Sequence, residues 1–147
     1  MNRNIAIAEQ VTFLGGIDPA NAVAGTYTTA AINTNLTGRL LFEVNGGTLG
    51  ASGTLTFSLL ASATSGGSYV AVSGLIACPV ISVTGKKVLY EVMTDTLQSL
   101  GVGPYVKGQV VVAVATSAFS VSVWGGSDRY LPASDYNATT IQAVVLN

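Results

Sequence analysis

Cys78 carries the most reactive side chain of this 147-residue sequence and is its only cysteine. It lies in the apolar run LIACPVISV, Leu75–Val83. A thiol nucleophile needs a neighbouring base, and the absence of histidine excludes Cys-His and Ser-His-Asp catalysis. One cysteine also excludes an intrachain disulfide, and the usual zinc sites need cysteine and histidine together. We therefore interpret Cys78 as a small buried hydrophobic residue, with a nucleophilic role as the alternative.

Pairs of carboxylates are the second candidate for chemistry, because glycosidases place two acidic side chains beside the scissile bond. Glu91 and Asp95 would share one strand face if their strand continued, and Asp128 and Asp135 lie in one loop. None of the four is flanked by the aromatic and amide side chains of a sugar cleft. We interpret them as solvated surface groups, with a calcium site between Asp128 and Asp135 as the alternative. The sequence predicts no enzyme activity, no cofactor and no metal site.

Aromatic side chains carry the remaining information about binding, because tryptophan, tyrosine and arginine are enriched at protein contacts. The segment WGGSDRYLP, residues 124–132, combines all three types. An alternative role for Trp124 is to close one end of the hydrophobic core, since tryptophan is usually highly buried. The predicted interface residues are Tyr27, Trp124, Arg129, Tyr130 and Tyr136.

The chain is poor in charge. Charged residues make up 9% of it and the net charge is −1, whereas typical domains carry about 25% charged residues. Without a basic patch, binding to the phosphates of nucleic acid is not expected. Weakly charged surfaces tend to associate, so we expect partners to cover much of this surface. The alternative is that serine, threonine, asparagine and glycine keep the free protein soluble.

The run Val110–Trp124 is the best candidate for a membrane span. It has 15 residues, fewer than the ~20 that a spanning helix needs, and its alternation and β-branched residues favour strands. At the N-terminus, Glu9 and Gln10 interrupt any apolar signal-peptide region. We therefore expect no signal peptide and no membrane association.

The elements that position these residues are predicted to be strands. Residues 1–37 are rich in small residues, asparagine and threonine, and we expect an extended arm with one or two short strands that packs on the domain or on a neighbour. Residues 38–147 form a single β domain. Alternating apolar and polar residues predict strands within 38–47, 54–62, 69–73, 75–83, 87–94, 105–116, 118–127 and 140–146.

Turn signals separate these strands. Asn45-Gly46-Gly47 and the segment Thr64–Ser68 are typical of turns. Pro79 places the strand Leu75–Val83 at an edge or at a bulge. The only helical turn is expected within Asp95–Pro104, capped by Thr94 or Asp95 and ended by Gly101.

About eight strands at regular spacing indicate an all-β antiparallel sandwich. Eight strands in two sheets is the number found in a jelly roll. The pattern does not separate a jelly roll from an immunoglobulin-like sandwich, although the cysteine and tryptophan spacing of antibody domains is absent.

The segment LLASATSGGSYVAVSG, residues 59–74, resembles the jelly-roll cement, or decoration, proteins of short-tailed bacteriophages such as those of Bordetella. The low charge, the single cysteine and the lack of histidine agree with that resemblance. It implies a non-enzymatic virion protein, made in the host cytoplasm, that binds the outer capsid surface as a dimer and stabilises junctions between major capsid proteins. Two other classes stay open: a trimeric tail- or fibre-associated virion module, and a carbohydrate-binding jelly roll.

Overall fold

The computed structural model of the chain describes residues 11–126 and 141–147. Strands dominate it. The helices among those residues are one 3-10 turn, Thr34–Leu36, and the six-residue helix α1, Thr94–Ser99. The prediction of an all-β fold is confirmed. The strands are β1 (Val11–Ala22), β2 (Gly25–Thr28), β3 (Ile32–Asn33), β4 (Arg39–Leu49), β5 (Thr54–Ser62), β6 (Val70–Ala71), β7 (Lys87–Met93), β8 (Tyr105–Ala113), β9 (Ser117–Gly126) and β10 (Ile141–Leu146).

The strands form two sheets. Sheet A has the order β1-β9-β4-β7-β10, and sheet B has the order β2-β8-β5-β6, with β3 also beside β8. Neighbours are antiparallel except β10, which runs parallel to β7. The pairs β5·β6, β4·β7, β2·β8 and β1·β9 are nested along the chain, as in one long hairpin folded over itself. The predicted antiparallel sandwich is confirmed, with a parallel edge strand added to it.

The core lies between the sheets, because successive side chains of a strand point to opposite faces. In β4, Leu40, Phe42 and Val44 are buried, as their spacing predicts. The ring of Phe42 lies 5.3 Å from that of Phe57 in sheet B, and Phe57 lies 5.2 Å from Tyr90 in sheet A. These rings join the two sheets, and each such buried side chain contributes about 1.5–3 kcal/mol.

The N-terminal strands enter both sheets. In β1, Phe13 lies opposite Trp124 of β9, and in β2, Tyr27 lies opposite Val110 of β8. β1 is 12 residues long, longer than the short strands expected for this part of the chain. Its register shifts by one residue or more near Gly15 and again beyond Ile17. Such bulges interrupt the alternation of side chains, which explains why the sequence pattern does not reveal the strand.

The predicted strand Leu75–Val83 is wrong. Most of residues 72–86 is irregular, and its one bridge pairs Ile81 with Leu55 through two hydrogen bonds of 2.9 Å. The preceding strand is also shorter than predicted, since β6 covers only Val70–Ala71. The segment leaves sheet B at β6 and rejoins sheet A at β7. A chain that crosses between sheets cannot pair continuously with either, and the buried Ile81 side chain closes the gap between them.

The predicted turn at Asn45-Gly46-Gly47 is also wrong, because β4 continues through it to Leu49. The chain turns instead between Gly50 and Gly53, where Ser52 has φ 59°. Gly46 serves a different purpose. A Cβ there would lie 2.9 Å from the Lys86 carbonyl oxygen and 2.9 Å from Ile81 Cγ2, so the missing side chain makes room for the crossing segment.

The helix α1 lies where a helical turn was predicted, but its predicted cap is wrong. Met93 precedes it and no side chain caps it. The hydroxyl of Thr94 donates instead to the Gly38 carbonyl, at 3.1 Å. Gly101 adopts φ 68° just beyond the helix, the left-handed conformation that favours glycine after a helix end.

Candidate functional site

Trp124 lies on the outer face of sheet A. Its neighbours in β9, Val123 and Gly125, face inward, whereas the tryptophan ring faces outward and is half-buried. Phe13 and Leu41 are its partners on the two adjacent strands. The rings of Phe13 and Trp124 meet edge to face, with centroids 5.2 Å apart, and Phe13 is 58% exposed. The tryptophan thus stands outside the core and forms an aromatic pair that solvent reaches.

Tyr27 occupies a different environment. Its ring points between the sheets and meets Phe119 edge to face, with centroids 5.5 Å apart. Its hydroxyl donates to the Val23 carbonyl at 3.0 Å. Phe119 faces the core and Trp124 faces outward on the same strand, so the fold does not bring Tyr27 and Trp124 together.

The other three predicted interface residues, Arg129, Tyr130 and Tyr136, lie outside the described residues, as do Asp128 and Asp135 of the alternative calcium site. Their placement therefore stays a prediction.

Two ion pairs cross the outer face of sheet A between β4 and β7. Arg39 Nη1 donates to Glu91 Oε1 at 2.6 Å, and Lys87 Nζ donates to Glu43 Oε1 at 3.0 Å. Each pair is diagonal across the two strands. The four charges therefore neutralise one another within the face.

Apolar side chains lie between these pairs. Leu41 and Leu89 are half-buried on the same face, and Met93 accepts a hydrogen bond from Arg39 Nη2 at its sulfur, at 3.5 Å. We call this surface the outer face of sheet A. It is defined by Phe13, Arg39, Leu41, Glu43, Lys87, Leu89, Glu91, Met93 and Trp124.

A second apolar surface lies along residues 70–83, which include no charged residue. Val70 is 69% exposed, Ile76 61% and Val83 53%. We call this surface the apolar edge. The sequence pattern misses it because a strand assignment places half of these side chains inside, whereas the crossing segment directs most of them to solvent.

The thiol of Cys78 is not poised for reaction. Burial raises its pKa to about 12, and the thiol donates to the Pro79 carbonyl at 3.6 Å. Since the thiolate is the nucleophilic form, this environment disfavours reactivity near neutral pH. The phenol of Tyr90 lies nearby, and its pKa is raised to about 12 by burial first and by Cys78 second, against a hydrogen bond with Asn147.

Glu91 and Asp95 do not form the carboxylate pair that the sequence suggested. Glu91 lies in β7 and is paired with Arg39, whereas Asp95 lies in α1 after the strand has ended. Within the described ranges, no group of three acidic, cysteine or histidine side chains is placed to hold a metal ion. Over the same residues, no helix has the length and apolar character needed to cross a membrane.

No protein-family model matches this chain, and the comparisons with curated proteins and with solved structures found no match either. The surface chemistry of the chain itself is therefore the basis for assigning its function.

Proposed function

We propose that this chain is a non-enzymatic virion protein that binds the outer surface of a bacteriophage capsid and stabilises junctions between major capsid proteins. The observation that carries the proposal is the outer face of sheet A. It combines the solvent-accessible Phe13–Trp124 pair with charges that are already compensated.

A sheet face that combines apolar side chains with internally paired charges is suited to being covered. Removing Arg39 and Glu91 from water together leaves no net charge without a partner, and the same holds for Lys87 and Glu43. Buried charges without partners are the main cost of covering a polar surface. Exposed aromatic side chains beside such pairs supply the contact area that hot spots use.

The apolar edge supports association as well. Soluble monomers rarely expose large contiguous apolar surfaces, and such surfaces usually mark interaction sites. Residues 70–83 carry several exposed branched side chains and no charge. On a capsid, this edge and the outer face of sheet A would contact neighbouring copies or capsid subunits.

The nested strand pairs support a jelly-roll topology. Apart from β3 and β10, the nested pairs from β1·β9 to β5·β6 place four strands in each sheet, which is the number found in jelly rolls. We propose a homodimer, because a two-fold interface uses the same surface on both copies. Repeated attachment to a symmetric shell lets each contact be weak.

Co-sedimentation with capsids tests the proposal. Empty capsids of the phage whose genome encodes the chain are mixed with purified protein and pelleted, and bound protein is quantified. We expect saturable binding and capsids that resist heating better when decorated. No binding to those capsids, or a gene neighbourhood without a major capsid gene, would contradict the proposal.

Light scattering after size-exclusion chromatography tests the oligomeric state. We expect a mass twice that of the 14.9 kDa chain. A mass three times that of the chain would instead favour the tail- or fibre-associated module.

A further inference from the structure

A polar groove lies at one end of the sandwich, beside the end of β9 that carries Trp124. Its volume is about 500 Å³, within the range of small-molecule sites. The 3-10 turn Thr34–Leu36 forms one wall and α1 forms another. The last two residues of β9, Gly125 and Gly126, lie beside them.

Hydrogen bonds hold the walls in place. The hydroxyl of Thr34 donates to the Pro104 carbonyl at 2.9 Å, and that of Thr94 donates to the Gly38 carbonyl at 3.1 Å. The side chain of Asn33 accepts from the Asn35 amide nitrogen at 3.0 Å. The groove is therefore built by side chains that the fold already uses, and its shape does not depend on a ligand.

Other polar side chains of the groove have no hydrogen-bond partner within the described residues. Within the described residues, the exposed side-chain amides of Asn35 and Gln98 make no hydrogen bond, and neither does the hydroxyl of Thr12. Thr37 Oγ1 is buried and has no hydrogen-bond partner there either. Buried polar groups without partners are uncommon in folded proteins. Thr37 can exchange between staggered χ1 rotamers, so a ligand that accepts a hydrogen bond can draw its hydroxyl into the groove.

The chemistry of the lining narrows the ligand class. None of the described lining residues carries a charge, so nothing there favours a phosphate, a carboxylate or a cation. Amide and hydroxyl groups both donate and accept hydrogen bonds, which matches the alternating donors and acceptors of a sugar. We infer that this groove binds a neutral, hydroxyl-rich ligand, a mono- or disaccharide unit of a surface glycan. No aromatic ring is among the described lining residues, so binding is weak. The inference does not rest on capsid binding.

Protein-observed NMR tests the inference. Isotope-labelled full-length chain is titrated with glucose, galactose, mannose and N-acetylglucosamine. We expect at least one sugar to shift the amide signals of Asn35, Thr37, Gln98 and Gly125, with an affinity that does not change with salt because no charge is involved. Absence of these shifts with all four sugars, or equal shifts with glycerol or inorganic phosphate, would overturn the inference.

Variants separate binding from folding. Asn35→Ala and Gln98→Ala should each weaken sugar binding about fivefold, the factor expected for one lost hydrogen bond. Thr56→Ala, on the exposed outer face of β5, is the matched control and should change neither sugar binding nor stability.

Thr37→Val keeps the shape of the side chain but removes its hydroxyl, so it should weaken binding while the thermal midpoint stays constant or rises. A lower midpoint for Thr37→Val would mean that the hydroxyl serves the fold, which counts against the inference.

Discussion

Trp124 and Phe119 show how one strand serves two purposes. They lie five positions apart in β9, and that odd separation places them on opposite faces of sheet A. Phe119 packs against Tyr27 at the border of the core, whereas Trp124 packs against the exposed Phe13. The ring of Phe119 therefore contributes mainly to stability, whereas the ring of Trp124 is available for binding.

Replacing Trp124 with alanine should abolish or strongly weaken capsid binding while leaving the domain folded. The lost edge-to-face contact costs about 0.5–1.5 kcal/mol beyond the free energy of burying the surface of the ring. Phe119→Ala is the matched control and should cost about 3–5 kcal/mol because it removes a core ring. Capsid pelleting and chemical denaturation are measured side by side. If Trp124→Ala unfolds the protein as strongly as Phe119→Ala does, the outer-face assignment fails.

Alkaline pH should destabilise the fold through Cys78 and Tyr90. Both groups are neutral when protonated, and burial raises their pKa values from 9.0 and 10.0 to about 12 in the folded chain. Their contribution to stability is therefore complete below pH 9 and is lost as the pH rises towards 12. Circular dichroism against pH follows this loss.

The Cys78→Ala variant isolates the thiol. It removes one of the two groups, so its unfolding midpoint should move to higher pH. The native thiol should also react slowly with a thiol reagent at about pH 8, because little thiolate is present. An unchanged midpoint together with rapid reaction would show that the thiol is not held protonated by burial.

At the scale of elements, residues 72–86 act as a strap across one open side of the sandwich. Val72 donates to the Leu59 carbonyl at 2.9 Å in sheet B, and Gly85 donates to the Gly47 carbonyl at 3.1 Å in sheet A. Between them the phenol of Tyr90 donates to the Ile76 carbonyl at 3.1 Å. The strap therefore attaches to both sheets, buries Ile81 between them, and presents Ile76, Val80 and Val83 to solvent.

Two isoleucines in this strap should respond oppositely to truncation. Ile81 is 2% exposed and Ile76 is 61% exposed. Ile81→Ala should lower the free energy of unfolding by about 2–5 kcal/mol. Ile76→Ala should change stability by about 0.5 kcal/mol or less but reduce binding if the apolar edge contacts a partner. Denaturant melts of both variants check this. Equal losses of stability would mean that the strap does not direct Ile76 to solvent.

At the scale of the whole molecule, the pairing of charges on the outer face of sheet A favours association through that face. The two ion pairs balance the charges of the outer face of sheet A, so a fifth charge in its centre, even opposite Glu91, leaves that face with a net charge and should oppose its covering. Leu41→Lys is suited to this test because the side chain lies beside Trp124 and is only half-buried. We expect weaker capsid binding with little change in the thermal midpoint.

Thr56→Lys is the control for Leu41→Lys, since Thr56 is exposed on the opposite outer face, in sheet B. It adds the same charge to the molecule but not to the proposed contact. Binding that falls equally in both variants would indicate a general effect of charge and would argue against the outer face of sheet A as the contact surface.

The sequence by itself determined the class of fold and much of the core. Period-two alternation is a local property, so Leu40, Phe42 and Val44 could be assigned to one buried face without knowing their neighbours. The strand near the C-terminus was predictable for the same reason, and the helical turn after β7 was predictable from another local signal, the glycine Gly101 at its end. The lack of histidine and the single cysteine also restrict the chemistry whatever the fold, because both are properties of composition.

The tertiary structure alone decided which apolar residues face outward. Whether Leu75–Val83 forms a strand depends on where the chain must cross, and whether Asn45–Gly47 turns depends on the close approach of Lys86 to Gly46. The pairing of Phe13 with Trp124, and the walls of the polar groove, join residues distant in sequence. Such contacts arise from the pairing of whole strands, which local periodicity does not specify.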